Sequence, residues 1–200
     1  MAARTVTALQ TLVSRENNPF DPAVVTVGTF HSGTKRNIIP DEAKLELTVR
    51  SYKPEVQKHL LAGIERIAKA QALSAGAPKE PSVVVLATEA SDVVVNDPGL
   101  VQRLGTALHK GLGDSVGPLE PTSASEDFGV YGRAAGVPSV QLRIGATEPG
   151  EFAKAKAAGT LTPGPHNASF APDRERTIRT GVAALTFSVL ELLGPSATRG

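Results

Sequence analysis

Residues 42–50 read Glu-Ala-Lys-Leu-Glu-Leu-Thr-Val-Arg, an alternation that puts Leu45, Leu47 and Val49 on one side and Glu46, Thr48 and Arg50 on the other. A period of two is the mark of a strand with one wet face and one face that must be covered. The β-branched stretch 23–30 reads as a second strand, and the Gly- and Pro-containing connection 32–40 between them reads as the loop of a hairpin, with Asn37 and Pro40 as turn formers. Cover is available on either side in the chain. Val6, Leu9, Leu12 and Val13 recur at helical spacing before Pro19 and Pro22 interrupt them, and Pro54 opens a second helical pattern through Val56, Leu60, Ile64 and Ile67. Gly76, Pro78 and Pro81 then break the chain ahead of 82–87, which reads as a further strand. The order helix, strand, strand, helix, strand is a ferredoxin-like βαββαβ unit without its first strand.

Beyond Glu89 the pattern changes, and the expected domains are 1–90 and 91–200. A short strand at 93–95 runs into Asn96, Asp97 and Pro98, a helix start, followed by Leu100, Leu104, Leu108 and Leu112. Residues 138–145 read as a strand and 150–164 as an Ala/Lys-rich helix or long loop. Asp173 is placed to cap a last amphipathic helix through Ile178, Val182, Leu185, Val189 and Leu192, which Gly194 and Pro195 end. The tail 196–200 is expected to fray. The second region is α/β in class.

Composition excludes several function classes. The 21 basic and 20 acidic side chains leave a formal charge of +1, so no overall field attracts nucleic acid, and 4% aromatic content without Trp offers little for base stacking. No stretch reaches the roughly 18 apolar residues of a membrane-spanning helix, and Met1 to Val13 has neither a basic nor a continuous apolar leader region. Cysteine is absent, which removes disulfides and thiolate metal sites and fits a cytoplasmic location.

Four histidines remain as candidates for chemistry. His59 and His109 lie within helical patterns but off their apolar stripes, as solvent-facing residues do. His31 and His166 are read as lying in Gly/Pro-containing loops next to strands or helices, where functional side chains are commonly held, although a structural role is open for each. His166, in TPGPHNASFAP, is able to ligate a divalent metal, but one imidazole is no site. In SASEDF, Ser123 and Glu126 have capping-box spacing for a helix after Pro121, while Glu126 and Asp127 would also suit orienting a ligand or a metal-bound histidine. Arg50 is either an exposed cation on a sheet face or a bidentate clamp for a carboxylate.

Taken together, LQTLVSRENNPFDPAVVTVGTFHSGTKRNIIPDEAKLELTVRSYKPEV, then SEDF, a strand, PHNASFAP and a last helix resemble, over nearly the whole chain, the amidohydrolase and metallopeptidase family of hippurate hydrolase, N-acyl-amino-acid amidohydrolases, aminoacylases and auxin-conjugate hydrolases. The resemblance implies a partial ferredoxin-like α+β dimerisation lid, its first strand missing, followed by the C-terminal part of an α/β zinc-peptidase-like catalytic domain. It implies two divalent metals (zinc, manganese or similar) bridged by a water that a carboxylate deprotonates for attack on an amide carbonyl. His166 falls at the last metal ligand, Asn37 at a lid position that stabilises the oxyanion or binds substrate, and Arg50 at the position that binds the substrate carboxylate. His31 shares the lid segment in a catalytic role. The expected partners are an N-acyl amino acid or related amide and a second copy joined through the lid, with neither nucleic acid nor membrane. The family's His/Cys motif, its adjacent acidic pair and its glycine-histidine segment have no counterpart here, so the chain is expected to be a C-terminal fragment that is inactive alone. The alternative expectation is a non-catalytic oligomerisation or ligand-binding module.

Overall fold

The computed structural model describes residues 1–194, so the expected frayed tail and Pro195 lie outside the described residues. The chain forms two compact units, one of Met1–Val93 with Pro121–Asp127, the other of Val94–Glu120 with the chain from Phe128 onward.

In the first unit, helix α1 (Ala2–Ser14) leads into strand β1 (Ala23–Ser32), strand β2 (Ala43–Ser51) and helix α2 (Pro54–Ser74). The strands pair antiparallel as a two-stranded sheet. One face of each element is apolar, and these faces meet: Leu9 and Leu12 of α1 with Val56, Leu60, Ile64 and Ile67 of α2 form the buried core, backed by Val25, Val27, Leu47 and Val49 from the sheet. Burying such side chains contributes on the order of 1.5–3 kcal/mol each. Close approach of the helices requires Gly63, since a Cβ there would lie 2.3 Å from Leu12 Cδ2. Pro54 sits in the first turn of α2, where its missing N–H costs nothing.

The expected strand at 82–87 is not a strand in this structure. Residues 82–86 have no regular structure, 87–89 make a single 3₁₀ turn, and Val84, Val85 and Leu86 are exposed. A strand exists only as part of a ladder, and the described sheet consists of β1 and β2 alone.

In the second unit, α3 (Pro98–Leu112) packs on α6 (Arg174–Leu193), with α4 (Gly129–Ala135) and α5 (Pro149–Ala157) between them in sequence. The expected caps form: Asp97 Oδ1 accepts from Leu100 N at 2.8 Å and Asp173 Oδ1 from Arg176 N at 3.2 Å. Leu104 and Leu108 are the buried residues of α3, and Ala184 and Ser188 those of α6. Phe187 lies over Gly111. The apolar stripe Ile178, Val182, Leu185, Val189 and Leu192 is 41–65% exposed. The expected strands at 93–95 and 138–145 are also absent. Asp97 N donates to Ser139 O at 3.0 Å, but the next amide, Gln141 N, is taken by the Asn96 side chain at 2.9 Å, which interrupts any ladder. Of 150–164, the part to Ala157 is helical.

Candidate functional site

The hairpin sorts three of the four candidate residues. Before Gly28, Val24 and Thr26 of β1 pair with Arg50 and Thr48, and their exposed face is the outer one. At Gly28 one extra residue enters β1, so that Val27 faces Leu47 but Thr29 faces Glu46. Strict alternation would have turned His31 toward the side of Val25 and Val27. The bulge reverses the parity and puts His31, paired with Lys44, on the outer face with Thr29, Glu46, Thr48 and Arg50. The hydrogen bond from Thr29 Oγ1 to Glu46 Oε2, at 2.9 Å, lies on that face. Lys44 Nζ is 2.6 Å from Glu46 Oε1. The Lys44 hydrogen bond first, and then that from Thr29, hold the Glu46 carboxyl below the ordinary carboxylate value, and Lys44 is raised in return.

His31 belongs to β1 rather than to a loop, and it lies six residues along the ladder from Arg50, about 20 Å at strand spacing. Asn37 is exposed in the loop at the His31 end, where Ser32 Oγ donates to Glu42 O at 3.0 Å. Thus His31 and Asn37 share one end of the hairpin and Arg50 occupies the other. The Arg50 guanidinium donates through Nη1 to the backbone carbonyl of Ser123.

Ser123 belongs to the segment Pro121–Asp127, where the expected capping box does not form. The segment is irregular, α4 starts only at Gly129, and Glu126 Oε1 accepts from Asp127 N at 3.1 Å instead of closing on Ser123. Thr122 Oγ1 accepts from Ala124 N at 3.2 Å, and the hydroxyls of Ser91 and Ser125 are 2.8 Å apart. Thr88, Glu89, Ala90, Ser91, Ser125, Glu126 and Asp127 line an open cleft of about 350 Å³.

His166 lies in the second unit, in Gly164-Pro165-His166-Asn167. Asn167 N donates to Gly164 O at 3.1 Å, and His166 has φ +70°. Proline followed by positive φ is the arrangement of a type II turn, whose third position favours Gly or Asn. A histidine there is strained backbone, of the kind that clusters at functional sites. The next turn is held by Asn167 Oδ1, which accepts from Ser169 N at 2.8 Å, and by Phe170 N donating to Asn167 O at 3.0 Å. The side chain of His166 is exposed, as are those of His59 and His109. Among the described residues no three His, Asp or Glu side chains converge into a group able to hold a metal ion. Sequence reasoning missed the bulge and the partner of Arg50. Gly28, isolated inside a β-branched run, was the available signal for the first, whereas the second joins residues 73 apart in the chain.

Residues 1–75 match the model of the peptidase dimerisation domain. An uncharacterized hydrolase of Sinorhizobium fredii is 30% identical over 198 residues, covering 98% of this chain and 45% of its own. The N-acetyl-L-cysteine deacetylase of Bacillus subtilis is 33% identical over 134 residues, 65% of this chain and 30% of its own. The crystal structure of Bacillus subtilis YXEP, a dinuclear metal binding peptidase of the M20 family, superposes with a TM-score of 0.62 at 23% identity, covering 96% of this chain and 44% of that one, and shares the fold. The chain thus spans less than half the length of the relatives it matches from end to end. Residues 1–75 thus carry the dimerisation domain of M20 peptidases, and nearly the whole chain aligns with part of a longer protein named as a hydrolase.

Proposed function

We propose that the chain forms part of a metal-dependent amidohydrolase that cleaves the amide of N-acyl amino acids, releasing a carboxylate and an amine. The observation that carries this reading is the similarity to a deacetylase named for an N-acetylated amino acid. Arg50 fits the substrate carboxylate, because Nε and Nη2 make no hydrogen bond to another described residue and form one edge of the guanidinium fork. Asn37 and His31 supply polar groups from the lid, Asn37 as hydrogen-bond donor to the developing oxyanion. The strained turn at His166 suits an imidazole held for a divalent metal such as zinc or manganese. His166 serves in this proposal as one ligand of a larger set, since no three candidate ligands converge among the described residues, and the chain alone is proposed not to turn over substrate. A homodimer through the first unit follows from the dimerisation domain, and the absence of cysteine agrees with a cytoplasmic setting.

The test is metal analysis and hydrolysis of N-acetyl amino acids by the purified chain, alone and supplied with the additional segment its relatives carry. Alone it should show neither tight stoichiometric metal nor turnover; complemented it should show both, and His166→Ala should weaken the metal. Arg50→Ala should then weaken carboxylate-bearing substrates by about 1.5–3 kcal/mol, whereas Asn37→Ala should lower kcat by roughly 10²–10³. Turnover by the chain alone would overturn its inactivity, and complemented protein that ignores every N-acyl amino acid would overturn the substrate class. A non-catalytic oligomerisation module is the second reading, favoured by the confinement of the domain match to the unit that has a closed core. Sedimentation separates the two: self-association persisting without any gain of activity on complementation supports the module.

A further inference from the structure

We infer that the backbone carbonyl of Ser123 is the positioning group for Arg50, holding its guanidinium with one edge open toward a ligand carboxylate. The inference rests on the carboxylate reading of Arg50 given above. An arginine on an exposed strand face samples many rotamers, and a ligand must freeze them to bind. Here Nη1 is engaged by Ser123 O while Nε and Nη2 make no hydrogen bond to another described residue. That pair of donors is a side-on fork matching the two oxygens of a carboxylate. A carboxylate docking on that edge leaves the Ser123 contact in place, so the tether and the ligand do not compete.

The carbonyl is itself held. Thr122 Oγ1 accepts from Ala124 N at 3.2 Å and closes a small turn around Ser123, and the Ser91 and Ser125 hydroxyls, 2.8 Å apart, fasten the segment two residues further on. Pro121–Asp127 groups with the hairpin unit although the chain on both sides of it belongs to the other unit. Arg50 and Ser91 are thus side-chain attachments that join this excursion to the hairpin unit, and the same guanidinium serves segment and ligand. Ordering of the segment and recognition of the carboxylate should therefore be coupled.

The experiment uses the full chain with N-acetyl-L-alanine and its carboxamide as probes, followed by the Arg50 Nε–Hε NMR signal and by hydrogen exchange of the 122–127 amides. Wild type should bind the acid in preference to the amide, and the acid should slow exchange in 122–127. The double variant Ser91→Ala, Ser125→Ala keeps Arg50 but loosens the segment; it should weaken the acid about 3–10-fold and leave the amide unchanged. Arg50→Ala should abolish the preference and raise exchange of the segment about 10-fold without ligand. Far-UV circular dichroism establishes that each variant remains folded. Loss of preference in Arg50→Ala with full retention in the double variant would leave the carboxylate clamp standing and overturn the positioning role. Segment exchange unchanged by Arg50→Ala would overturn the tether directly. Wild type without preference for the acid would overturn the clamp and the inference with it.

Discussion

The two units solve the same problem in opposite ways. In the first, two helices and a sheet close over a shared core in which Leu9, Leu12 and Leu60 are at most 1% exposed, yet neither α1 nor α2 has a side-chain cap at its N-terminus. In the second, α3, α5 and α6 are each capped, by Asp97, Glu148 and Asp173, while the apolar stripe of α6 faces solvent. Tertiary burial without side-chain caps holds the helices of the first unit, whereas those of the second add local caps to the smaller buried contact between α3 and α6. Helical periodicity is equally clear in both, so the pattern specifies that a face seeks cover, and the available partner decides whether cover is found.

The comparison is tested most severely by matched truncations. Leu60→Ala, at a fully buried position, should destabilise the chain by about 2–5 kcal/mol in urea unfolding, whereas Leu185→Ala, at 64% exposure, should stay within about 0.5 kcal/mol. Equal losses would mean that the α6 stripe is buried in solution and would break the contrast.

Two glycines sharpen it further. A Cβ at Gly63 meets Leu12 at 2.3 Å and a Cβ at Gly111 meets Phe187 at 2.3 Å. Leu12 is sealed in its core, but Phe187 is only half-buried and has room to swing. Gly63→Ala should therefore cost about 1–3 kcal/mol by overpacking, and Gly111→Ala clearly less, as thermal melts of the two variants would show. The reverse order would imply that the second unit is the tighter packed.

A smaller effect is expected from the caps. Asp97→Ala removes the acceptor for Leu100 N and should cost about 1 kcal/mol, seen as faster amide exchange in the first turn of α3. No change would remove the argument that local bonds sustain this unit.

The smallest effect concerns acid pH. Glu148 is held below the ordinary carboxylate value by the backbone amides of Gly150 and Glu151, and Glu46 by the Lys44 ammonium and the Thr29 hydroxyl. A carboxyl depressed in the folded state stabilises it above the unfolded value, and that contribution disappears as pH falls through the folded one. Both groups are exposed, so the losses should be slight and confined to pH below the ordinary carboxylate range. Salt separates them: screening should raise the Glu46 midpoint more than that of Glu148, whose partners are fixed dipoles. Equal salt sensitivity in carboxyl NMR titrations would contradict this assignment.

Much of the first unit was legible because its signals are local. Alternation in 42–50, the Pro54 start and the stripe Val56–Leu60–Ile64–Ile67 each report an element that the structure contains. The strands expected at 82–87, 93–95 and 138–145 failed for one reason, that a β-branched run states a preference and a ladder needs a partner. The capping-box reading of Ser123 and Glu126 failed because spacing alone does not say whether a helix follows.

For the candidate site the division is similar. Residue types and their settings singled out His31, Arg50 and His166, because few side chains can bind a metal or a carboxylate, whereas Asn37, read from the residues as a turn former, gained its role only from the resemblance of the motif order to one family. Only the tertiary structure decided that a one-residue bulge at Gly28 turns His31 to the face of Arg50, and that the Arg50 guanidinium meets a carbonyl 73 residues away. Side-chain facing depends on register, and long-range hydrogen bonds depend on how the chain returns. Neither is encoded in a short window of sequence.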